Sequence, residues 1–338
     1  MNRNTLALLV FAAFGLMITA CQDDSASQTE TTTTTPSRKK VVVPKFERDS
    51  AYAYVEKQLS FGPRVPGTEA HAQCKDWMAD KLRSFGADVI LQDFDAERFD
   101  GLALKGTNVI GRFNPAAKKR IMLSAHWDSR YTSDYDPDEA NKDKPVPGAD
   151  DGASGVAVLL EIARHFKTAP IDEYGVDIIF WDLEDQGEGG GNGDMRSWCL
   201  GSQYWSRNKH VGGYNARYGI LLDMVGAENA RFTKDGISRQ YAPALVEKVW
   251  KMGNNMGYGD YFQNINGREL VDDHLFLNQL AGIPTIDIIN RPEGSETGFG
   301  HYWHTQKDDM AVISKRTLRA VGQTVLAVVY HTDGGTFL

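Results

Sequence analysis

The chain is poor in sulfur. Three cysteines occur among 338 residues, and one of them, Cys21, ends an apolar N-terminal segment. Cys74 and Cys199 are too few and too far apart in sequence for a disulfide framework, and they lack the paired spacing of a thiolate zinc site. They read either as free thiols or as one isolated pair. No basic stripe stands out: 37 Lys and Arg face 45 Asp and Glu, a formal net charge of −8, which argues against a nucleic-acid partner. Gly189-Gly190-Gly191 lacks the Gly-Lys-Ser/Thr of a phosphate loop, so it reads as loop flexibility and no nucleotide is expected. Neither an internal repeat nor a second domain is visible.

Residues 1–21 read as an export signal. Arg3 supplies the positive start, residues 6–18 are apolar, and Thr19-Ala20 is small. The apolar run is too short and wrongly flanked for a retained transmembrane helix. Ile18-Thr19-Ala20-Cys21 resembles the lipobox of bacterial lipoproteins, which implies that Cys21 becomes the lipidated first residue. Residues 22–45, polar and repetitive through Lys40, cannot bury apolar surface and read as a disordered tether. The expectation is an exported bacterial lipoprotein, tethered to a membrane and facing the periplasm. Residues 46–338 form one domain, long enough for a substantial α/β core.

Within that domain, helical periodicity runs over residues 51–61 and 68–85, with Gly62-Pro63 and Pro66-Gly67 as punctuation between them. Strands are predicted at 88–94, 108–113, 120–125, 176–181, 219–224 and 284–289. Helices are predicted at 156–166, capped by Ser154, and at 242–256, 273–281 and 314–330. This alternation predicts a sheet covered by helices on both faces. The charged stretch 130–147 reads as a surface insertion near the site.

The central element is the run from Val176 to Gly187, VDIIFWDLEDQG. Its apolar part has the composition of a strand buried on both faces, and it ends in Asp182, Glu184 and Asp185. Open α/β sheets deliver functional residues at the carboxyl ends of their strands. Acids lodged there repel one another unless a cation or a shared proton relieves them. Other segments carry similar cargo: His126 and Asp128 after one strand, Asp150-Asp151 before a helix, Asp223 inside an apolar strand, then Asp272-Asp273-His274 and Trp303-His304-Thr305. Imidazole and carboxylate without thiolate suit zinc of the catalytic kind. His71, His165, His210 and His331 read as structural, as do Trp77, Trp181 and Trp250. Asp182 reads as a turn residue or as support behind the site.

The series His126-x-Asp128, Gly148-Ala149-Asp150-Asp151-Gly152, Glu184-Asp185, Asp223 and His304 resembles the co-catalytic zinc aminopeptidases and their relatives, the animal-type glutaminyl cyclases. The resemblance spans residues 51–330 and implies a three-layer α/β/α sandwich with a mixed central sheet. For the aminopeptidases it implies two zinc ions on His126, Asp151, Asp185, Asp223 and His304, with Glu184 as base for water.

Trp303-His304-Thr305, Asp272-Asp273-His274 and the context of Asp223 are more similar to the cyclases. That likeness implies a glutaminyl-peptide cyclotransferase acting on peptides with N-terminal glutamine, with one zinc on Asp151, Asp185 and His304. Glu184 would be the proton shuttle, Asp272 would hydrogen-bond it, and Asp223 would complete the carboxylate network. Trp303 would offer its indole N–H and, with Phe299 and Trp198, wall the substrate pocket. His126 would stand behind the metal ligands or be the relic of a second metal. The family usually has Glu-Glu where this chain has Glu184-Asp185, so the second acid is one methylene shorter.

Overall fold

Alternation along the strands divides the apolar side chains between two faces of one sheet. Val176, Ile178 and Phe180 point into one cluster, Ile179 and Trp181 into another, and Ile121 and Leu123 are separated from Met122 in the same way. The computed structural model describes residues 41–190 and 193–338. The export signal expected at 1–21, and the tether through Lys40, lie outside the described residues. Residues 41–45 are not tether: Val41 and Val43 pack against the core, and the Gln323 side chain donates to the Pro44 carbonyl at 3.0 Å.

In chain order the α-helices are α1 (Arg48–Leu59), α2 (Glu69–Ser84), α3 (Ala153–Thr168), α4 (Leu200–Arg207), α5 (Gly236–Tyr241), α6 (Pro243–Asn255), α7 (Asp273–Phe276) and α8 (Lys315–Asp333). The strands are β1 (Asp88–Glu97), β2 (Ala103–Phe113), β3 (Lys119–His126), β4 (Tyr174–Trp181), β5 (Gly219–Asp223), β6 (Phe232–Lys234), β7 (Phe262–Asn266) and β8 (Thr285–Ile289). Six strands form the main sheet in the order β1-β2-β4-β3-β5-β8. The first two pairings are antiparallel, whereas β4, β3, β5 and β8 run parallel. Helices α1, α2, α3, α6 and α8 contribute to the larger cluster, on one face. Trp205 of α4 and Leu277, just after α7, fill the other. The three-layer mixed α/β/α architecture is therefore as expected. Every residue of β4 is buried, as its composition requires.

Three local expectations need correction. Ser154 does not cap α3. Gly152 precedes the helix at φ 88°, and the Ser154 hydroxyl donates to the Asp150 carbonyl at 2.6 Å while accepting the Val225 N–H at 3.0 Å. It thus ties the loop before α3 to the end of β5. The helix predicted at 273–281 is α-helical only to Phe276 and then widens into π-turns over Leu277–Ala281. The stretch 130–147 is not merely surface, because Arg130, Ser133, Asp136 and Val146 are buried. Among the described residues, no helix is long and apolar enough to cross a membrane.

Gly155 sets how closely α3 approaches the sheet. A Cβ there would lie 2.4 Å from the Leu222 carbonyl oxygen and 2.8 Å from the Ala125 Cβ. Gly155→Ala is expected to cost about 1–3 kcal/mol through overpacking, read as a lower urea midpoint at unchanged slope.

Candidate active site

The four parallel strands aim their carboxyl ends at one place. β3 ends in His126, β5 ends in Asp223, and β4 passes into Asp182 to Asp185. The turn after β4 is held by its own acids. Asp182 accepts the Thr107 and Leu183 N–H groups at 2.6 and 2.9 Å and faces His71 Nε2 at 2.9 Å, so it and His71 are both structural. Leu183 sits at φ 57°, a left-handed conformation that swings the next two residues outward. Asp128 then clamps them, accepting the N–H groups of Glu184 at 3.0 Å and Asp185 at 3.2 Å, plus the Gln186 side chain at 3.0 Å. In the His-x-Asp motif the aspartate therefore positions the acid pair.

A second clamp fixes Asp151. The Asp308 carboxylate accepts the N–H groups of Asp150 and Asp151 at 2.8 and 3.1 Å. Gly152 leaves space for His126, whose ring would lie 2.8 Å from a Cβ at that position. Asp151 consequently stands between two imidazoles: Oδ1 is 2.9 Å from His126 Nε2 and Oδ2 is 3.7 Å from His304 Nε2. Asp185 Oδ1 is 3.1 Å from His304 Nε2, and Asp223 Oδ1 is 3.2 Å from His126 Nε2.

Two buried triads share Asp151. Asp151, Asp185 and His304 each offer one atom, all within 4.8 Å of one another, and His126, Asp151 and Asp223 do the same. Both donor sets, imidazole with carboxylates, fit zinc. The shorter side chain of Asp185 still reaches the cluster. His126 contacts both Asp151 and Asp223: it stands directly behind Asp151 of the first triad and also completes the second.

The acids perturb one another strongly. Burial pushes the Glu184 carboxyl well up; the nearby His126 opposes this, while Asp185 and Asp272 add to it. Burial also carries Asp223 up to about 8, against its hydrogen bond with His126. Asp151 is held below the usual carboxylate range: burial raises it, but contact with His126 and the charge of His304 outweigh that.

Asp272 does not hydrogen-bond Glu184. Its Oδ1 accepts the Asp273 N–H at 2.5 Å, starting α7, and its Oδ2 is buried without a hydrogen-bond partner among the described residues. The group that donates to Glu184 is the Cys199 thiol, 3.2 Å from Oε1, while the Cys199 N–H donates to the Glu184 carbonyl at 2.9 Å. Asp272 lies within 4.8 Å of both groups. A lone cysteine carries no sequence signal for this role. Cys74 and Cys199 are free thiols.

His304 is oriented from behind. Asp134 Oδ1 lies 3.3 Å from its Nδ1, and Arg130 grips both Asp134 oxygens at 2.8 Å while donating to the carbonyls of Asp185 and Gly187. The i,i+4 pair Arg130/Asp134 was present in sequence, within a stretch read as solvated. A cavity of about 540 Å³ opens in front of the triads, lined by Trp198, Phe299 and Trp303 together with Glu184, Asp223 and Asp272. Trp303 stacks on His304 at 3.6 Å between ring centroids, and Trp198 stacks on it from 6.2 Å. Removing the Asp134 charge releases the ring: Asp134→Asn is expected to weaken zinc binding roughly 10- to 100-fold, measured by competition with a chromogenic chelator.

Comparisons with known proteins agree with this geometry. A structure described as a Zn-dependent exopeptidase from Parabacteroides distasonis is 51% identical, with TM-score 0.83, over 86% of this chain and 99% of that one. Bacteroides thetaiotaomicron glutaminyl cyclase bound to N-acetylhistamine is 53% identical, with TM-score 0.82, over the same shares. The glutaminyl-peptide cyclotransferase of Drosophila melanogaster is 27% identical over 75% of this chain and 73% of that protein. Residues 108–329, well over half of the sequence, match Peptidase family M28, and the chain belongs to that family.

Proposed function

We propose that the protein is a zinc-dependent glutaminyl-peptide cyclotransferase, an acyltransferase that converts the N-terminal glutamine of peptides and proteins to pyroglutamate with release of ammonia. The observation that carries this reading is the likeness to a glutaminyl cyclase over nearly all of that enzyme's chain. One zinc per chain would be held by Asp151, Asp185 and His304. When bound, it supplies Lewis-acid polarisation of the substrate's γ-carbonyl.

The nucleophile is the substrate's own α-amine, with a pKa of roughly 8 when unperturbed, so the neutral form is available near neutral pH. Its nitrogen bonds to the carbonyl carbon of the side-chain amide (Cδ), closing a five-membered ring, and the bond from that carbon to the amide nitrogen breaks. Glu184 takes the proton the amine loses and delivers it to the departing nitrogen, so ammonia leaves neutral. The Cys199 thiol keeps one oxygen of Glu184 occupied and the carboxylate in place. Asp272, beside Glu184, would receive the N–H groups of the leaving nitrogen, and Asp223 would complete that acidic surface. Trp303, Phe299 and Trp198 wall the amide and exclude competing water.

The intact triad of His126, Asp151 and Asp223 favours one other reading, a two-zinc aminopeptidase removing N-terminal residues. A Gln-initiated peptide separates the two. Cyclisation releases ammonia and leaves a peptide lighter by one ammonia; hydrolysis releases free glutamine and no ammonia, and that result would sink the cyclase reading. Metal analysis is expected to give one zinc per chain, against two for the aminopeptidase. Glu184→Gln is expected to lower kcat by roughly 10²- to 10⁴-fold with zinc content unchanged.

The same proposal includes the export route: residues 1–21 as a lipoprotein signal peptide and Cys21 as the lipidated anchor of a periplasmic enzyme with one catalytic domain. Cys21→Ser is expected to move the protein from the membrane to the soluble fraction, and unchanged fractionation would refute the anchor.

A further inference from the structure

The described wall of the cavity is strongly acidic, with carboxylates from Asp151 to Asp272, and Glu188 and Glu269 at the rim. Among the described residues lining it, the one cation is Arg291, just after β8. Its backbone is tied down, the N–H donating to the Arg231 carbonyl at 2.8 Å. Its guanidinium lies over the Phe299 ring, with Cζ 4.7 Å from the centroid. Phe299 stacks on Trp303 at 4.5 Å, and Trp303 stacks on His304. Gly298, at φ 82°, makes room for this arrangement: a Cβ there would come within 2.6 Å of Arg291 Nη2.

Other guanidinium groups in the interior are supplied with acceptors. Arg64 donates to the carbonyls of Trp127, Pro147 and Gly148, Arg120 grips Asp177, and Arg130 grips Asp134. Arg291 differs. Among the described residues its fork meets no acceptor, and it is half-buried with an aromatic face on one side and the cavity on the other. A guanidinium presents a planar set of donors suited to carbonyl and carboxylate oxygens.

The position of the fork indicates what reaches it. From His304 the Trp303–Phe299–Arg291 wall runs outward as one continuous surface, and a peptide whose N-terminal glutamine occupies the space before His304, as the proposed function requires, reaches Arg291 by following it. Each step of that wall is under 5 Å. An extended chain advances roughly 3.5 Å per residue, so its first few residues meet the guanidinium. We propose that Arg291 is a substrate-binding residue, donating hydrogen bonds to acceptor oxygens of the peptide beyond its first residue. Those oxygens come from a backbone carbonyl or from an acidic side chain, and both present the same chemistry to the fork.

The test reads binding separately from turnover. In the zinc-loaded Glu184→Gln protein, calorimetry gives the Kd of three probes: glutaminamide, Gln-Ala-Ala-amide and Gln-Glu-Ala-amide. Arg291→Met keeps an unbranched side chain over Phe299 and removes the donors. It is expected to weaken peptide binding about tenfold, the loss of a hydrogen bond from a charged group, and to leave glutaminamide unchanged. An equal loss for both peptides assigns the contact to a backbone carbonyl; a loss confined to the Glu-containing peptide assigns it to the carboxylate. Unchanged Kd for both peptides overturns the proposal, and so does an equal loss for glutaminamide, which would mark Arg291 as part of the wall alone. Turnover of the wild-type protein on the same peptides tests the cyclase reading independently, because the Kd comparison does not require cyclisation.

Discussion

The structure depends on keeping several carboxylates together where they repel. Asp151, Asp185, Asp223 and Glu184 converge at the ends of parallel strands, buried or nearly so, and burial alone opposes their ionisation. Two devices hold them. The first is imidazole: His126 and His304 stand on either side of Asp151, so each acid has a partner that either a metal or a proton can join. The second is backbone. Asp128 and Asp308 each take two main-chain N–H groups from the loops that carry the ligands, so the loop positions are set by acids that are not themselves ligands. Charge-assisted bonds of this kind are short and strong, and they set side-chain direction at low conformational cost.

Strain is concentrated in the same place. Leu183, Cys199, Met224 and His304 are non-glycine residues with left-handed backbone, and each follows or flanks a residue of the site. Such conformations cost on the order of 1–3 kcal/mol each and persist only where the surroundings impose them. Here the surroundings are visible. Asp182 holds the Leu183 N–H, the Glu184 carbonyl holds the Cys199 N–H, and the His304 carbonyl accepts from Tyr135. The geometry is therefore held by the chain's own groups, an arrangement that favours tight metal binding and a fixed Glu184.

Much of this was legible in sequence because period and composition coincide with topology. The strand at 176–181 reads as buried on both faces, so the acids that follow must lie at a strand end; His126 and Asp223 are legible for the same reason. What was not legible depends on contacts between segments far apart. Arg130 and Asp134 sit in a charged stretch that looks solvated, and only the carbonyls of Asp185 and Gly187, more than fifty residues on, bring Arg130 inside. The adjacent acids Asp272 and Asp273 are equivalent as text. Position decides between them: Asp272 starts α7, spending one oxygen on the Asp273 N–H, and lines the cavity beside Glu184, whereas the Asp273 carboxylate is buried away from that lining. The short parallel pair β6 and β7 was missed because β6 has only three residues and β7, FQNIN, is mostly polar and exposed, so neither carries an apolar run.

The scaffold explains how two reactions can share one set of ligands. Both metal triads are complete in geometry, so the donors alone do not decide between hydrolysis and ring closure. The choice lies in what stands opposite them. A hydrolase must admit a water molecule to the reacting carbonyl. Ring closure instead needs the substrate's amine held against its own side chain, with a base close enough to move one proton between two nitrogens. Glu184, anchored on one oxygen by Cys199 and placed beside Asp272, would offer that short path in the proposed reaction. The stacked Trp303 and Phe299 supply an apolar wall on which, in the proposed reaction, a folded glutamine would pack and water would gain nothing. In the proposed reaction the aromatic wall and the second acid, rather than the metal ligands, would therefore set the outcome.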